Sequence, residues 1–402
     1  MARSNNQDLR RGSGGTKNTK PALPGQVVLV LQGGGALGAY QAGVYEALHE
    51  ASIEPDWVVG TSIGAINSAL VAGNPPKQRL GRLHEFWKRV EQNAGTNVRP
   101  LMFRPLANAA VNWMTMVAGI RAFFTPNPMV LFGQHAPIGI ANAAYYTTAP
   151  LRATLAGLMD FSYINQCHVR ISLGAVRVRD GEMTYFDSRD EAIAMEHIMA
   201  SSAFPPAFPA IRVNEDFYWD GGIYSNTPIE AVLDDNPRRD SLIFAVDVWN
   251  PGGPEPETLW QVAGREKEIL YASRAKSHLA RQKQIHHLRH VIRELSRLMP
   301  EKLRSTFDVQ DLASWGCHTT MHVVRLVAAA IDGEDQTKDI DFTPAGIAAR
   351  WRAGYADTRR MLDLAPWTCP VDPVEGIVIH EALANTATPV AAGIDGFEGS
   401  TK

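Results

Sequence analysis

Cysteine is scarce in this 402-residue chain: only Cys167, Cys317 and Cys369 occur, far apart and odd in number. That excludes a disulfide framework and a C-x-x-C metal site, and it points to a reducing compartment. Long apolar runs are missing too. The longest uncharged stretch lies between Arg104 and Arg121, 16 residues that include Asn108 and Asn112, against the roughly 20 that a spanning helix needs. The first 24 residues are polar, without the apolar core of a signal peptide. Charge of one sign is also lacking: with a net charge of −3 and 20% charged residues, the average fits neither a basic nucleic-acid binder nor an acidic disordered chain. The expectation is a cytoplasmic protein without nucleic acid as partner, for which peripheral membrane contact stays open.

What is present is apolar material, 45% of the chain, enough for a substantial core. Order begins at Gln26 with VVLVL, a β-branched run that reads as a buried strand leading into QGGGALGAY. AYQAGVYEALHEA has helical spacing, WVVG reads as a second strand, and TSIGAINSALVAG turns from strand to helix. Alternation of this kind predicts parallel strands in an α/β layer fold. Residues 77–91 read as a helix, and 100–150, broken by Pro105, Pro126, Pro128 and Pro137, as a cap or substrate-facing layer. Asp180-Gly181 predicts a two-residue hairpin inside 169–188. Thr227, Pro228 and Glu230 predict a capped helix start, and 241–249 another buried strand. The composition shifts at PGGPEPE, near 250. Beyond it a long amphipathic helix or helix pair (258–299), a strand (321–327) and one more helix are expected. The predicted organisation is a disordered leader (1–24), a catalytic domain (25–250), a mainly helical extension (251–380) and a flexible tail (381–402). The predicted fold is a three-layer α/β/α sandwich around a mixed, mainly parallel sheet.

Three motifs carry chemistry. Gly60-Thr61-Ser62-Ile63-Gly64 is a G-x-S-x-G between strand and helix, which puts a serine hydroxyl on a strained, exposed turn. Gly33-Gly34-Gly35-Ala36-Leu37-Gly38 follows the first strand, where side-chain-free backbone converges its N–H groups on an anion. The same letters satisfy G-x-G-x-x-G, but a dinucleotide site expects an acidic residue at the end of the second strand, and Asp56 stands at its start. Asp220-Gly221-Gly222, behind FYW, offers a carboxylate that desolvation raises toward a useful base. Its plainer reading is a turn. The order Ser, Asp or Glu, then His would suit a histidine-dependent hydrolase; His278, His286, His287, His290, His318, His322 and His380 follow, none of them in a marked loop after a clear core strand.

In this order the three motifs resemble the patatin-like phospholipases, over about residues 26–250, and SSAFPPAFP (201–209) resembles that family's loop before the aspartate. The resemblance implies a lipid acyl hydrolase of phospholipase A or lysophospholipase type, with Ser62 as nucleophile and Asp220 as base. It also implies the backbone N–H groups of Gly33, Gly34, Gly35 and Ala36 as oxyanion donors, with Gly38, Gly60, Gly64, Gly221 and Gly222 as motif glycines. No metal or cofactor is implied. Leu37 departs from the Arg or Lys of many members and removes a positive charge beside the oxyanion. Some bacterial members have a comparable C-terminal extension.

Several secondary features have competing readings. Residues 262–304 hold eleven Lys or Arg and four Glu, net +7. Ile285, Leu288, Ile292, Leu295 and Leu298 line one face and Arg289, Arg293 and Arg297 another. The segment reads as a helix packed on the catalytic domain with a solvated basic face, the alternative being contact with anionic membrane. His286 and His290 have the spacing of metal ligands but lack the glutamate of H-E-x-x-H, and read as a polar face. Residues 106–124, with Trp113, Met114, Met116, Phe123 and Phe124, read as core, the alternative being the wall of an acyl pocket. Ser201 and Ser202 lack a glycine elbow. The rival functions are a histidine-dependent esterase, a non-catalytic lipid-binding protein and a nucleotide-dependent oxidoreductase.

Overall fold

The computed structural model describes residues 23–92, 115, 117–331, 334 and 336–381. The expected leader and tail therefore lie almost wholly outside the described residues, as do Trp113, Met114 and Met116. Eleven described strands form two sheets: β1 (Gln26–Leu31), β2 (Trp57–Thr61), β3 (Thr125–Pro126), β4 (Tyr146–Thr147), β5 (Arg170–Arg177), β6 (Met183–Asp187), β7 (Ile211–Val213), β8 (Asp216–Asp220), β9 (Ser241–Asp247), β10 (Met321–Val327) and β11 (Ile377–Glu381). β3 and β4 pair with each other. The remaining nine make a central sheet in the order β11-β10-β9-β1-β2-β5-β8-β7, with β6 on β5. β1, β2, β5, β9, β10 and β11 run parallel, and β6 and β8 run antiparallel to β5.

The principal helices are α1 (Ala39–Glu50), α2 (Ile63–Ala72), α3 (Pro76–Arg89), α4 (Met195–Ser201), α5 (Glu230–Leu233), α6 (Leu259–Leu298) and α7 (Pro344–Leu364). Because side chains alternate along a strand, β1 divides its apolar residues between two cores. Val27, Leu29 and Leu31 pack with α1, α2, α3 and α7, while Val28 and Val30 pack with Val232 and Leu233 of α5 and Leu279 of α6. The result is the three-layer α/β/α arrangement with a mixed, mainly parallel sheet. The composition shift near 250 does not interrupt the sheet. The strand expected at 321–327 pairs with β9, β11 adds a further strand on its outer edge, and α7 lies against α1, with the Tyr40 hydroxyl donating to Asp357 Oδ2 at 2.8 Å.

The register of β5 brings two distant parts of the chain together. β2 pairs with it up to Thr61 opposite Gly174, and β8 pairs with it from Asp220 opposite Ala175. β6 pairs with residues 172–176 and so occupies the other edge. One edge of β5 therefore carries β2 and β8 end to end, and Ser62 and Asp220 meet at the junction.

Three local expectations change. The Asp180-Gly181 turn forms with Gly181 at φ 73°, but five residues, 178–182, separate β5 from β6. Thr227 does not cap a helix. The cap of α5 is Ile229, without a side-chain bond, because the Thr227 hydroxyl accepts from Gln32 Nε2 at 2.7 Å and donates to the buried Asp247 Oδ1 at 3.1 Å. On α6 the buried positions are Ala272, Leu279, His286 and His290, whereas Leu288, Leu295 and Leu298 are exposed, so the apolar stripe expected to pack is largely solvated.

Candidate active site

The turn between β2 and α2 holds Ser62 at φ 59°, ψ −127°. A non-glycine residue rarely occupies this region, and surrounding structure must hold it there. Here the Ser62 N–H donates to Ser201 O at 3.0 Å, and the Ser202 hydroxyl donates to Ser62 O at 3.3 Å. The two serines at the C-terminal end of α4 thus brace the elbow. Gly64 allows the helix to start this close to β1, since a Cβ there would lie 2.2 Å from Leu31 O. Gly60 faces the backbone of Gly64, and Gly38 backs onto Ile63.

The glycine-rich loop runs beside the serine: a Cβ on Gly33 would lie 2.9 Å from Ser62 Cβ. Gly33 is fixed on both sides. Its N–H donates to Asn226 O at 3.1 Å, while its carbonyl accepts from Asn226 Nδ2 at 3.1 Å and from Trp249 Nε1 at 2.9 Å. The Gly33 N–H is therefore already spent, which removes it from the expected oxyanion donors. The N–H groups of Gly34, Gly35 and Ala36 have no hydrogen-bond partner among the described residues. Gly34 and Gly35 open onto the same cavity as Ser62; Ala36 is buried behind them.

Asp220 ends β8 and is 0% exposed. Its Oδ1 accepts from Gly222 N at 2.7 Å, within the tight turn formed by Gly221 and Gly222. Oδ2 is buried without a hydrogen-bond partner. Burial pushes the carboxyl up to about 7, with the Ser62 hydroxyl and the Gly222 N–H opposing it. A carboxylate so desolvated beside a hydroxyl is a competent proton acceptor near neutrality.

Ser62, Asp220, Gly33, Gly34, Gly35 and Gly222 line one cavity of about 390 Å³. Most of its wall is apolar and comes from distant segments: Ile66 of α2, Phe123, Phe208 from the proline-rich loop, Tyr271 of α6, and Phe342 before α7. Phe124 lines it as well, so the described end of the 106–124 stretch contributes wall. At the rim Lys267 Nζ donates to Asp339 Oδ1 at 2.9 Å. No histidine lines the cavity among the described residues. His286 Nε2 faces Leu233 O, and His290 faces the carbonyls of Pro373 and Thr319. His322 and His380 face each other. Asp56 accepts from Val27 N at 2.8 Å, at the strand ends remote from the glycine loop.

Sequence reasoning missed Asn226, Trp249, Ser201 and Ser202 as supports of the site. Their signal was contextual: Asn226 follows Asp220-Gly221-Gly222 closely, Trp249 ends the β9 run, and the two serines open SSAFPPAFP.

Comparison with known proteins agrees with these motifs. A family model described as patatin-like phospholipase matches residues 29–233, just over half of the chain, and one described as patatin phospholipase matches 269–374. The lysophospholipase nte1 of Aspergillus terreus is 46% identical over 70 residues, 15% of this chain and 5% of that protein. A patatin-like phospholipase domain-containing protein of Caenorhabditis elegans is 42% identical over 74 residues, 18% of this chain and 7% of that protein. The chain thus matches only a small fraction of the length of these curated relatives. Among solved structures, VipD from Legionella pneumophila aligns at 17% identity and a TM-score of 0.37, over 85% of this chain and 67% of that one. The family-model match, covering more than half of the sequence and all three motifs, establishes that this chain belongs to the patatin-like phospholipase family.

Proposed function

We propose that the protein hydrolyses lipid acyl esters, of phospholipase A or lysophospholipase type, with Ser62 as nucleophile and Asp220 as the sole general base. The observation that carries this reading is the fully buried Asp220 carboxylate, one oxygen unpartnered, beside a strained serine on an apolar cavity. An acyl chain fills the cavity and presents its ester carbon to Ser62 Oγ. As Oγ attacks, its proton passes to Asp220, and the carbonyl oxygen gains negative charge opposite the free N–H groups of Gly34 and Gly35, with Ala36 behind. Each such preorganised donor is worth about 3–4 kcal/mol in the transition state. Collapse expels the alcohol, which takes the proton from Asp220 and leaves an acyl-Ser62 ester. Water then adds to this ester with Asp220 again accepting a proton, and the fatty acid and free Ser62 are released. Every step uses side chains and backbone of this chain alone.

No helix among the described residues is long and apolar enough to cross a membrane, so lipid is taken to enter at the cavity mouth. The basic segment 262–304 joins this contact only through its turns near Lys267 and Tyr271. From Tyr271 the helix runs on for another 27 residues to Leu298, about 40 Å away at 1.5 Å per residue.

Labelling with a fluorophosphonate probe tests the reading in wild type, Ser62→Ala and Asp220→Asn. Wild type is expected to label, and both folded variants to lose labelling together with ester turnover. Persistent labelling of Ser62→Ala overturns the nucleophile. Full activity in Asp220→Asn overturns the base and restores the histidine-dependent alternative. A wild type that binds lipid but neither labels nor turns over ester is a lipid-binding protein.

A further inference from the structure

From Ala122 to Leu151 the chain carries no Asp, Glu, Lys or Arg, and His135 is the one histidine. At the 20% charged residues of the whole sequence, these 30 residues would hold six. The stretch is nevertheless largely surface: of residues 127–145 only Ala144 is buried. Val130, Leu131, Phe132, Ile140 and Tyr145 are exposed, Leu131 by 90% and Phe132 by 70%. Single exposed apolar residues are ordinary, but a cluster of them on an uncharged excursion marks a contact surface.

The excursion is closed on itself and seated on the cavity wall. At its neck the Asn127 N–H donates to Tyr145 O at 2.9 Å. The Asn127 side chain fastens the interior, Nδ2 donating to the Asn142 and Ala144 carbonyls at 2.8 Å each and Oδ1 accepting from Met129 N at 3.0 Å. That last bond caps the 3-10 turn Pro128–Phe132, which carries Leu131 and Phe132. Gly133 N donates to Val130 O, Ala136 N to Gly133 O and Asn142 N to Gly139 O, so these backbone groups are satisfied inside the loop. Internal pairing of this kind is what a segment needs where it meets an apolar phase. At the base, β3 and β4 pair Pro126 with Tyr146, and Tyr145 N and Tyr146 N donate to Pro206 O and Ala207 O. Phe124, Tyr146 and Ala207 line the cavity that holds Ser62.

We propose that residues 127–145 form a membrane-docking loop, with Leu131 and Phe132 entering the interfacial region of a bilayer. The choice of occupant rests on the lipid-hydrolase reading: the loop begins and ends on the wall of the cavity that takes the acyl chain, so one short ribbon joins Leu131 and Phe132 to the site of reaction. An uncharged, solvent-exposed tip fits the apolar boundary of a bilayer, whereas the contact with a protein partner or a second copy is rimmed by polar and charged side chains. The contact is separate from the basic face of α6 and, unlike an electrostatic one, does not weaken with salt.

Co-sedimentation with phosphatidylcholine vesicles in 0.5 M NaCl tests this, since charge attraction is then screened within about 4 Å. The full chain carrying Ser62→Ala serves as parent, so that the vesicles stay intact. It is expected to bind, and the added pair Leu131→Ser and Phe132→Ser to weaken binding at least about tenfold through the lost apolar area. Phe132→Trp keeps an interfacial anchor and should bind at least as well as the parent. With Ser62 restored, the Leu131→Ser, Phe132→Ser chain should keep the wild-type Tm and, within about twofold, the wild-type kcat/KM for a soluble short-chain p-nitrophenyl ester, while hydrolysis of vesicle lipid falls in step with binding. Undiminished vesicle binding by the doubly substituted chain overturns the proposal, as does a parent that does not bind. Equal losses on the soluble ester and on vesicles place the effect in the cavity and overturn it too. A parent dimer, seen by light scattering, that the two substitutions dissociate assigns the surface to a second copy and overturns the membrane as occupant. A wild type that takes no fluorophosphonate and turns over no ester, yet binds vesicles through Leu131 and Phe132, sinks the hydrolase reading and supports the docking loop.

Discussion

Replacing Asp220 by asparagine should abolish catalysis and make the protein more stable at alkaline pH. Burial pushes the folded carboxyl up to about 7, against 3.8 for an aspartate in water. A raised carboxyl pKa means that the folded state holds a proton which the unfolded state has already lost, so stability falls as pH rises between the two values. The loss is absent below about 4 and complete above about 7. At 1.36 kcal/mol per unit it amounts to about 4 kcal/mol. Asparagine removes the titration but leaves its amide donors poorly satisfied in the same buried position, a cost of about 1–3 kcal/mol that does not vary with pH. Subtracting the effect of Asp220→Asn at pH 4 from its effect at pH 8 cancels that constant cost and leaves about 4 kcal/mol in favour of the variant at pH 8. Urea unfolding of both proteins across pH 4–8 measures the difference directly. Parallel stability curves would refute the reasoning, because they would mean that burial does not perturb this carboxyl, and the case for a lone aspartate as base would fall with it.

Two other outcomes are expected. Trp249→Phe keeps the aromatic wall but deletes the bond to Gly33 O; with the glycine loop less firmly held, kcat should fall about five- to tenfold with little change in KM, as steady-state ester hydrolysis would measure. Arg325→Met strips the buried Asp247 of its 2.6 Å partner and should cost about 3–5 kcal/mol in urea unfolding, with fluorophosphonate labelling of the folded fraction intact.

The sheet's first half was legible because strand, glycine turn and helix follow one another within a few residues, so local chemistry specifies both the backbone and the site. Ser62, the Gly34-Gly35 loop and the desolvation of Asp220 could be read from neighbours in sequence. The rest depends on contacts that sequence order hides. Thr227 carries every letter of a helix cap, yet a buried network with Gln32 and Asp247 claims its hydroxyl. Gly33 is lost as a donor because Asn226, 193 residues away, takes its N–H. On α6, periodicity identifies the stripe of Leu288, Leu295 and Leu298 but not which face meets the sheet, and His286 and His290 are buried instead, where backbone carbonyls face His286 Nε2 and both ring nitrogens of His290. The strand at 321–327 and the helix of α7 could be read from local pattern, but not that Phe342 between them reaches the cavity wall.

The continuous edge of β5 has an evolutionary consequence. Thr61, which leads directly into Ser62, and Asp220 pair with adjacent residues of one strand, Gly174 and Ala175, so the separation of serine and aspartate is a property of strand register and is insulated from whatever the chain does between 73 and 169. That intervening segment supplies Phe123, Phe124 and Tyr146 to the cavity. It is therefore free to lengthen, shorten or exchange its aromatics, and so to reshape the cavity wall, while Ser62 and Asp220 keep their alignment.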